Sequence, residues 1–296
     1  MKSKNSAANT KSNASKPSKP NNLREALDKV LTDGEKKKLI TSFDIIGDIA
    51  VIEIPDELKH REKEIGEAIL QVHKNIKTVC KRSGIHEGGF RIRHVEVIAG
   101  DNRTETTHRE SGVVMRLDID TVYFTPRLSH ERERIAQQVK KGEVIGAFFA
   151  GVGPYPLVIA KKNPDVRIYA IELNPTAFEY LKYNINVNRA GGIIHAVCGD
   201  VKEIAPKMLG NQCDRILMPL PKGGEDFLDV ALQCAKKNCI IHFYQFAPEE
   251  DLFSKAINKV EEAAKKAKRE IEIANKKTVR PYAPRVYQVV LDIKVK

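Results

Sequence analysis

From Glu143 to the C-terminus the chain repeats one pattern, a short apolar run without polar alternation followed by a stretch with helical spacing. The runs are VIGAFFA, VRIYAIE, GIIHAVCGD, DRILMPLP, NCIIHFYQF and VYQVVLDIKV, with helical segments such as Pro175 to Asn188 and Glu225 to Lys236 between them. A strand that is apolar on both faces must be covered on both faces, and strands alternating with helices achieve this as a doubly wound parallel sheet. The pattern therefore predicts an α/β domain of Rossmann-like type. The last run, set off by Pro281 and Pro284, is expected at a sheet edge.

The preceding part of the chain follows other rules. Two apolar runs flank Gly47-Asp48 in FDIIGDIAVIEIP, which reads as a hairpin. Leu58, Ile65, Ile69, Val72 and Ile76 place an apolar stripe on a helix beginning just after Pro55. Phe90 to Ile98 is strand-like, and Met115 to Asp120 alternates apolar with charged residues as a half-buried strand does. Residues 41–120 are thus expected to form a small α+β domain ahead of the doubly wound domain at 121–296. Leu23 to Leu39 reads as a short polar helix within a lead-in at 23–40, and residues 1–22, rich in Lys, Ser, Asn and Pro, as a disordered basic tail.

The charge divides unevenly. Of the net +11, residues 1–40 supply a surplus of six, with ten Lys/Arg against four Asp/Glu. The excess is therefore mostly in the leader, which acts either as a solubilising tail or as an arm attracted to phosphate. The remainder is mildly basic, which permits a nucleic-acid partner without requiring one. The five cysteines form no C-x-x-C pair, so a zinc ribbon and a disulfide framework are not indicated and a reducing cytoplasm is expected. No apolar run approaches the roughly 20 residues of a membrane helix. The eight histidines show no metal-ligand spacing, so no metal is expected; His60, His73 and His86 read as surface residues, and the basic AAKKAKR stretch at Ala263 to Arg269 as a solvated helix face.

In a doubly wound sheet the ligand lies beyond the carboxyl ends of the strands. After the first run, FFAGVGPYP offers Gly151 and Gly153, which suit either an ordinary tight turn or close approach of the main chain to a ligand. The second run ends at Glu172, roughly 20 residues further on, where an acid can accept from both hydroxyls of a ribose. The third ends at Asp200, either a helix N-cap or an acceptor for an adenine amino group. Together these indicate an adenosine-bearing cofactor. Tyr155 and Pro156 stand where the last glycine of a dinucleotide fingerprint belongs, which favours S-adenosyl-L-methionine over NAD.

The segments VYFTPRLSHERERIA, GEVIGAFFAGVGPYP, IELNPTAFEYLKYNINVN, DRILMPLPKG and VRPYAPRVYQVVLD occur in this order. Their order and intervals resemble the archaeal and eukaryotic tRNA guanine-37 N1-methyltransferase family over about residues 41–296, and YF-x-PRL-x-x-ER is the most discriminating piece. The resemblance implies a class I methyltransferase domain, preceded by a small tRNA-contacting domain, that methylates guanine N1 in the anticodon loop and acts as a cytoplasmic monomer. It implies Glu131 as general base, with the first acid of a helix as its plainer role, and Arg91 or Arg93 as the group stabilising charge on O6. Cofactor contacts fall to Arg127, Phe149, Ala150, Gly151, Gly153, Glu172, Leu173, Asp200 and Pro219. Tyr123, Arg127 and Pro221 frame the base, Tyr123 by stacking and Arg127 by pairing with carboxylate or phosphate.

Three departures from the family pattern are visible. Ala147 stands where an Asp is expected, Pro219-Leu220-Pro221 replaces Asn-Leu-Pro, and the leader is too short for the additional N-terminal domain that many members carry. The wybutosine-pathway transferase, which moves the aminocarboxypropyl group of the same cofactor, is the nearest alternative. A methyltransferase acting on a wybutosine intermediate and a non-catalytic RNA-binding protein are the others.

Overall fold

The computed structural model describes residues 19–83 and 94–296. Where one lead-in helix was expected there are two short ones, α1 (Leu23–Ala26) and α2 (Asp33–Lys38). Thr32 explains the break. Its hydroxyl accepts from the Glu35 N–H while the Glu35 carboxylate accepts from the Thr32 N–H at 2.7 Å, a reciprocal cap that starts a helix anew. Leu23, Leu27, Leu31 and Leu39 are buried in one cluster with Leu58, Ile65 and Ile69, so the lead-in belongs to a core.

Strands β1 (Phe43–Ile46) and β2 (Ile49–Ile52) pair as the expected hairpin. A 3-10 turn over Asp56–Arg61 leads into α3 (Glu62–Val72), which buries Ile65 and Ile69; Ile76, placed on the helix by periodicity, is buried beyond its end. Strand β3 (Thr78–Arg82) was not foreseen. It lies parallel to β2 and antiparallel to β4 (Val95–Gly100), giving a sheet of order β1-β2-β3-β4. The expected strand at Phe90 to Ile98 lies in part outside the described residues, as do Arg91, Arg93 and His86. Next come a hairpin of β5 (Glu105–Glu110) and β6 (Val113–Asp118) and then α4 (Ser129–Gln138).

The large domain runs β7 (Val144–Phe148), α5 (Pro154–Lys162), β8 (Arg167–Glu172), α6 (Pro175–Val187), β9 (Ile194–Cys198), α7 (Val201–Leu209), β10 (Cys213–Met218), α8 (Leu228–Cys234), β11 (Ala235–Pro248), α9 (Ser254–Lys266), β12 (Ile271–Ala283) and β13 (Val286–Val295). Its sheet has the order β12-β13-β11-β10-β7-β8-β9, with β9, β8, β7, β10 and β11 parallel and β13 and β12 antiparallel. The last run is therefore not an edge strand: β12 covers it. Its sequence, IEIANKKTVRPYA, is mostly exposed and basic and carries a proline, which suits an edge and hides it from an apolar-run reading.

Each face of the sheet is covered by three helices, as two-sided apolar strands require. Ile135 of α4, Leu157 and Val158 of α5, and Leu181 and Ile185 of α6 pack on one side. Val201 of α7, Leu228 and Ala231 of α8, and Val260 of α9 pack on the other. The β5–β6 hairpin docks on α6 through bonds from its main chain to asparagine side chains: the Arg116 N–H donates to Asn184 Oδ1 at 2.8 Å and the Val114 N–H to Asn188 Oδ1 at 2.9 Å. Strand order reverses between β7 and β10, so a crevice opens at their carboxyl ends.

Candidate functional site

The loop leaving β7 turns back on itself because three of its five residues take positive φ: Phe149 at 56°, Gly151 at 56° and Gly153 at 96°. At Gly153 the conformation favours glycine, and a Cβ would also press on the Leu181 Cδ1 methyl at 2.7 Å. The tip of β8 locks onto this loop. Glu172 accepts from the Gly151 N–H at 2.6 Å and from the Asn174 N–H at 2.8 Å. Burial pushes its carboxyl above the usual range, against the effect of those two N–H groups. The Gly199 N–H bonds the Glu172 carbonyl at 2.9 Å, which draws the tip of β9 alongside.

Phe149, Ala150, Gly151, Gly153, Glu172, Leu173, Asp200 and Pro219 thus gather at the ends of four adjacent strands. Leu173 keeps 51% exposure at a strand tip, and Phe149 packs edge-on against Phe227 at 4.8 Å. Asp200 caps α7, accepting from the Lys202 N–H at 2.8 Å, which is the plainer of its two expected roles. Ala147 is buried in β7 opposite Ala170 and Leu217. A carboxylate held at a strand tip, a glycine loop and two apolar walls fit the adenosine part of a nucleoside-bearing cofactor.

Beside the crevice lies a cavity of about 480 Å³ between the small sheet and the tip of the β12–β13 hairpin. Tyr123, 45% exposed, and Arg127 line it. The Tyr123 carbonyl faces Gly151, 3.9 Å from where a Cβ would stand, so cavity and crevice adjoin. Arg127 Nε donates to Asp44 at 2.5 Å. Pro221 touches the cavity wall indirectly: its carbonyl accepts from the Phe246 N–H at 3.2 Å, and the Phe246 ring stacks on Tyr282 at 3.9 Å.

Glu131 is buried in the first turn of α4 and does not line the cavity. Its carboxylate accepts from Tyr244 Oη at 2.6 Å and from Arg134 Nε and Nη2 at 2.8 and 2.7 Å. Arg134 also donates to Asp292 at 2.7 Å, and Asp292 bonds His242 Nδ1 at 2.6 Å. Arg215 in turn donates to His242 at 2.7 Å and to Glu143 at 2.8 Å, closing a buried ionic row across the sheet. Burial holds the His242 imidazole below its usual pKa. Asp292, which burial alone would raise, is held well below the carboxylate range by His242 and Arg134. Sequence reading singled out none of Arg134, Tyr244, His242 or Asp292, although a His and a Tyr inside the apolar run NCIIHFYQF are a signal of buried polar contacts.

The register links Glu131 to the crevice. Met218 pairs with Phe243, so Tyr244 stands level with Pro219, one step past the end of β10. Among the described residues no group of side chains could hold a metal ion, and no helix is long and apolar enough to cross a membrane.

Residues 106–273 match the TRM5/TYW2 methyltransferase domain and residues 23–104 the TYW2 N-terminal domain. The chain is 42% identical over 277 residues to the tRNA (guanine(37)-N(1))-methyltransferase Trm5b of Pyrococcus abyssi, covering 94% of this chain and 81% of that protein. It is 31% identical over 273 residues to the tRNA(Phe) (4-demethylwyosine(37)-C(7)) aminocarboxypropyltransferase of Pyrococcus horikoshii, covering 92% and 96%. The crystal structure of the P. abyssi Trm5b superposes with a TM-score of 0.85, covering 94% of this chain and 82% of that one. The complex of aTrm5 with tRNALeu superposes with a TM-score of 0.83 at 36% identity, covering 94% and 79%. With both domain matches in sequence and the fold shared over 94% of its length, the chain belongs to the TRM5/TYW2 methyltransferase family.

Proposed function

We propose that this protein transfers a methyl group from S-adenosyl-L-methionine to N1 of guanine 37 in tRNA. The observation that carries the reading is the hydrogen bond from Tyr244 to Glu131, because it ties a buried carboxylate to the residue that stands level with Pro219, just past the end of β10. The 42% identity to a guanine-37 N1-methyltransferase supports the substrate. In this reading the small domain, residues 41–120, and the basic tail, residues 1–22, contact the tRNA ahead of the catalytic domain at 121–296.

Glu172 would hold the ribose, Leu173 and Phe149 would flank the adenine with Asp200 near its amino group, and Ala150, Gly151 and Gly153 would line the turn beneath the amino-acid part. Arg127 and Pro219 would close the crevice toward the cavity. When bound, the cofactor supplies an electrophilic methyl carbon on sulfonium. Guanine N1 carries a proton near neutral pH, and its lone pair is free to attack only once that proton leaves. Glu131 would take it. Both Glu131 oxygens are engaged by side chains, so Arg134 must shift toward Asp292, to which it is already bonded, as the base enters. Tyr123 would stack on the extruded base and Pro221 would close the far wall, while Arg91 or Arg93 would meet the charge building on O6.

A second reading, aminocarboxypropyl transfer at the same nucleotide, is favoured by the TYW2 N-terminal domain match and by the departure from Asn-Leu-Pro at Pro219. Mass spectrometry of nucleosides from tRNA treated with the enzyme and cofactor separates the two. A gain of one methylene mass on guanosine supports methyl transfer, and the larger aminocarboxypropyl gain on a wyosine precursor would replace it.

A further inference from the structure

Among the described residues, three arginines and two acids line the cavity: Arg82, Arg127 and Arg280 against Asp44 and Glu53. The acids are already used. Asp44 accepts from Arg82 at 2.6 Å and from Arg127 at 2.5 Å, and Glu53 accepts from Arg82 at 3.0 Å. Arg280, on the β12 edge of the hairpin, is half-buried and is left over. Its Nε donates to Gln288 Oε1 at 3.0 Å, and no carboxylate among the described residues lies within the 4.0 Å of an ion pair. Burial lowers its pKa below the usual guanidinium range, the mark of a cation short of compensation. A half-buried guanidinium without a counter-charge is costly, and an anion entering the cavity removes that cost.

The surroundings say which anion. Arg280 lies 5.9 Å from the ring of Tyr282, and Tyr123 and Tyr282 stand 45% and 41% exposed in the same lining, so planar surfaces accompany the cation. Among the described residues the lining carries three cationic side chains against two anionic ones, and a phosphodiester carries a single negative charge beside a planar base. With Nε pinned by Gln288, Nη1 and Nη2 have no partner among the described residues and can meet two phosphate oxygens.

We propose that Arg280 is the anion site for a phosphodiester flanking the extruded nucleotide, so that the hairpin grips the RNA backbone while the base is presented to the crevice. This rests on the tRNA reading above. It assigns a role to the VRPYAPR segment that neither the crevice nor the Glu131 row uses.

The test is a binding cycle that needs no turnover. Wild-type protein and Arg280→Gln are titrated with an anticodon stem-loop in natural form and with each phosphate beside position 37 replaced in turn by an uncharged methylphosphonate. In the wild type, neutralising one of the two phosphates should weaken binding about 10–100-fold, the value of a charged hydrogen-bonded contact. Arg280→Gln should lose a similar factor with the natural RNA and then be indifferent to that replacement. Losses that multiply would overturn the proposal, as would normal binding of natural RNA by the variant with turnover alone reduced, since that places Arg280 on the base. Thermal unfolding and S-adenosylhomocysteine binding check the fold, and Arg280→Lys, which keeps charge but not the fork, repeats the cycle should the glutamine variant unfold. If the RNA product carries no methylated guanosine the functional reading falls, while the cycle still decides the fate of Arg280.

Discussion

Two carboxylates carry the proposed site, and they are held by different means. Glu172 is fixed by main-chain N–H groups of Gly151 and Asn174, whereas Glu131 is fixed by the side chains of Arg134 and Tyr244. Main-chain donors cannot change partners without refolding the loop, so Glu172 suits a standing acceptor for a ligand that always binds in one way. Side-chain donors can turn. Arg134 already divides itself between Glu131 and Asp292, so Glu131 can exchange a partner for a proton without disturbing the backbone. In the proposed function the crevice thus has a static task and the ionic row a dynamic one.

Breaking the dynamic side should give the largest effect. Glu131→Gln keeps the side chain's size but cannot accept the N1 proton, so single-turnover methyl transfer should fall by roughly 10²–10⁴. Its amide also gives up one of the two acceptors that hold Arg134, so thermal unfolding of the variant is measured alongside. Binding of tRNA and cofactor should change little, because the interaction removed belongs to the transition state. Raising the pH should restore part of the rate, since solvent then deprotonates N1 in advance. Near-normal turnover at neutral pH would return Glu131 to the role of a helix-start acid.

The support of that side is a stability matter. Asp292→Ala leaves Arg134 and His242 without their shared acceptor, and stripping one member from a buried ionic group costs about 3–5 kcal/mol. Denaturant unfolding should show it. The pH dependence follows from the signs. His242 is depressed in the fold, so below its unfolded value of 6.5 the unfolded chain binds the extra proton and stability falls. Asp292 is also depressed, so a second loss follows below 3.8. His242→Gln should flatten the upper stage and leave the lower one. A wild-type unfolding midpoint that does not move between pH 7 and pH 5 would show that His242 is not held neutral.

These two regions also differed in how far the sequence revealed them. The crevice was legible because each piece is local: Gly151, Glu172 and Asp200 each follow directly on an apolar run, and the bond from Gly151 to Glu172 spans only 21 residues. The ionic row was not, since Arg134 meets Asp292 across 158 residues and Tyr244 meets Glu131 across 113. The family resemblance supplied Glu131, Arg127 and Tyr123 without their surroundings. The same divide runs through the fold. The two-sided strands β7 to β11 announced themselves, whereas β3, β5 and β12 are too short or too polar to show a period, and their pairing is decided by neighbours distant in sequence.

On the static side the expected effect is smaller and confined to one ligand. Glu172→Ala removes the proposed acceptor for the ribose, which should weaken S-adenosyl-L-methionine binding by about 1.5–3 kcal/mol as measured by calorimetry. Affinity for tRNA should stay nearly intact. An equal loss of both would mean that the Gly151 loop had collapsed, making Glu172 a loop support in place of a cofactor ligand. Wild-type affinity should also decline as pH falls through the raised titration of Glu172, because the ionised form is the one that accepts from both hydroxyls.

The smallest effect concerns a segment that belongs to neither side. Residues 1–18 carry Lys2, Lys4, Lys11 and Lys16 with no acidic residue, while the cap of α1 begins only at Asn22. Deleting 1–18 should therefore leave thermal stability unchanged. If the tail is an arm for phosphate, affinity for tRNA should drop at low salt. The plot of log affinity against log salt should then flatten by up to about 0.7 for each single-strand phosphate that the shortened protein no longer neutralises. The difference between the two proteins should vanish as salt rises, because the gain from releasing condensed ions shrinks with the salt already present. A deficit that persists undiminished at high salt would mean that the tail binds RNA in a fixed way, and the tail would then count as a third part of the site. No difference at any salt would leave it a solubilising leader, with the specific grip on RNA carried by the cavity and the small domain alone.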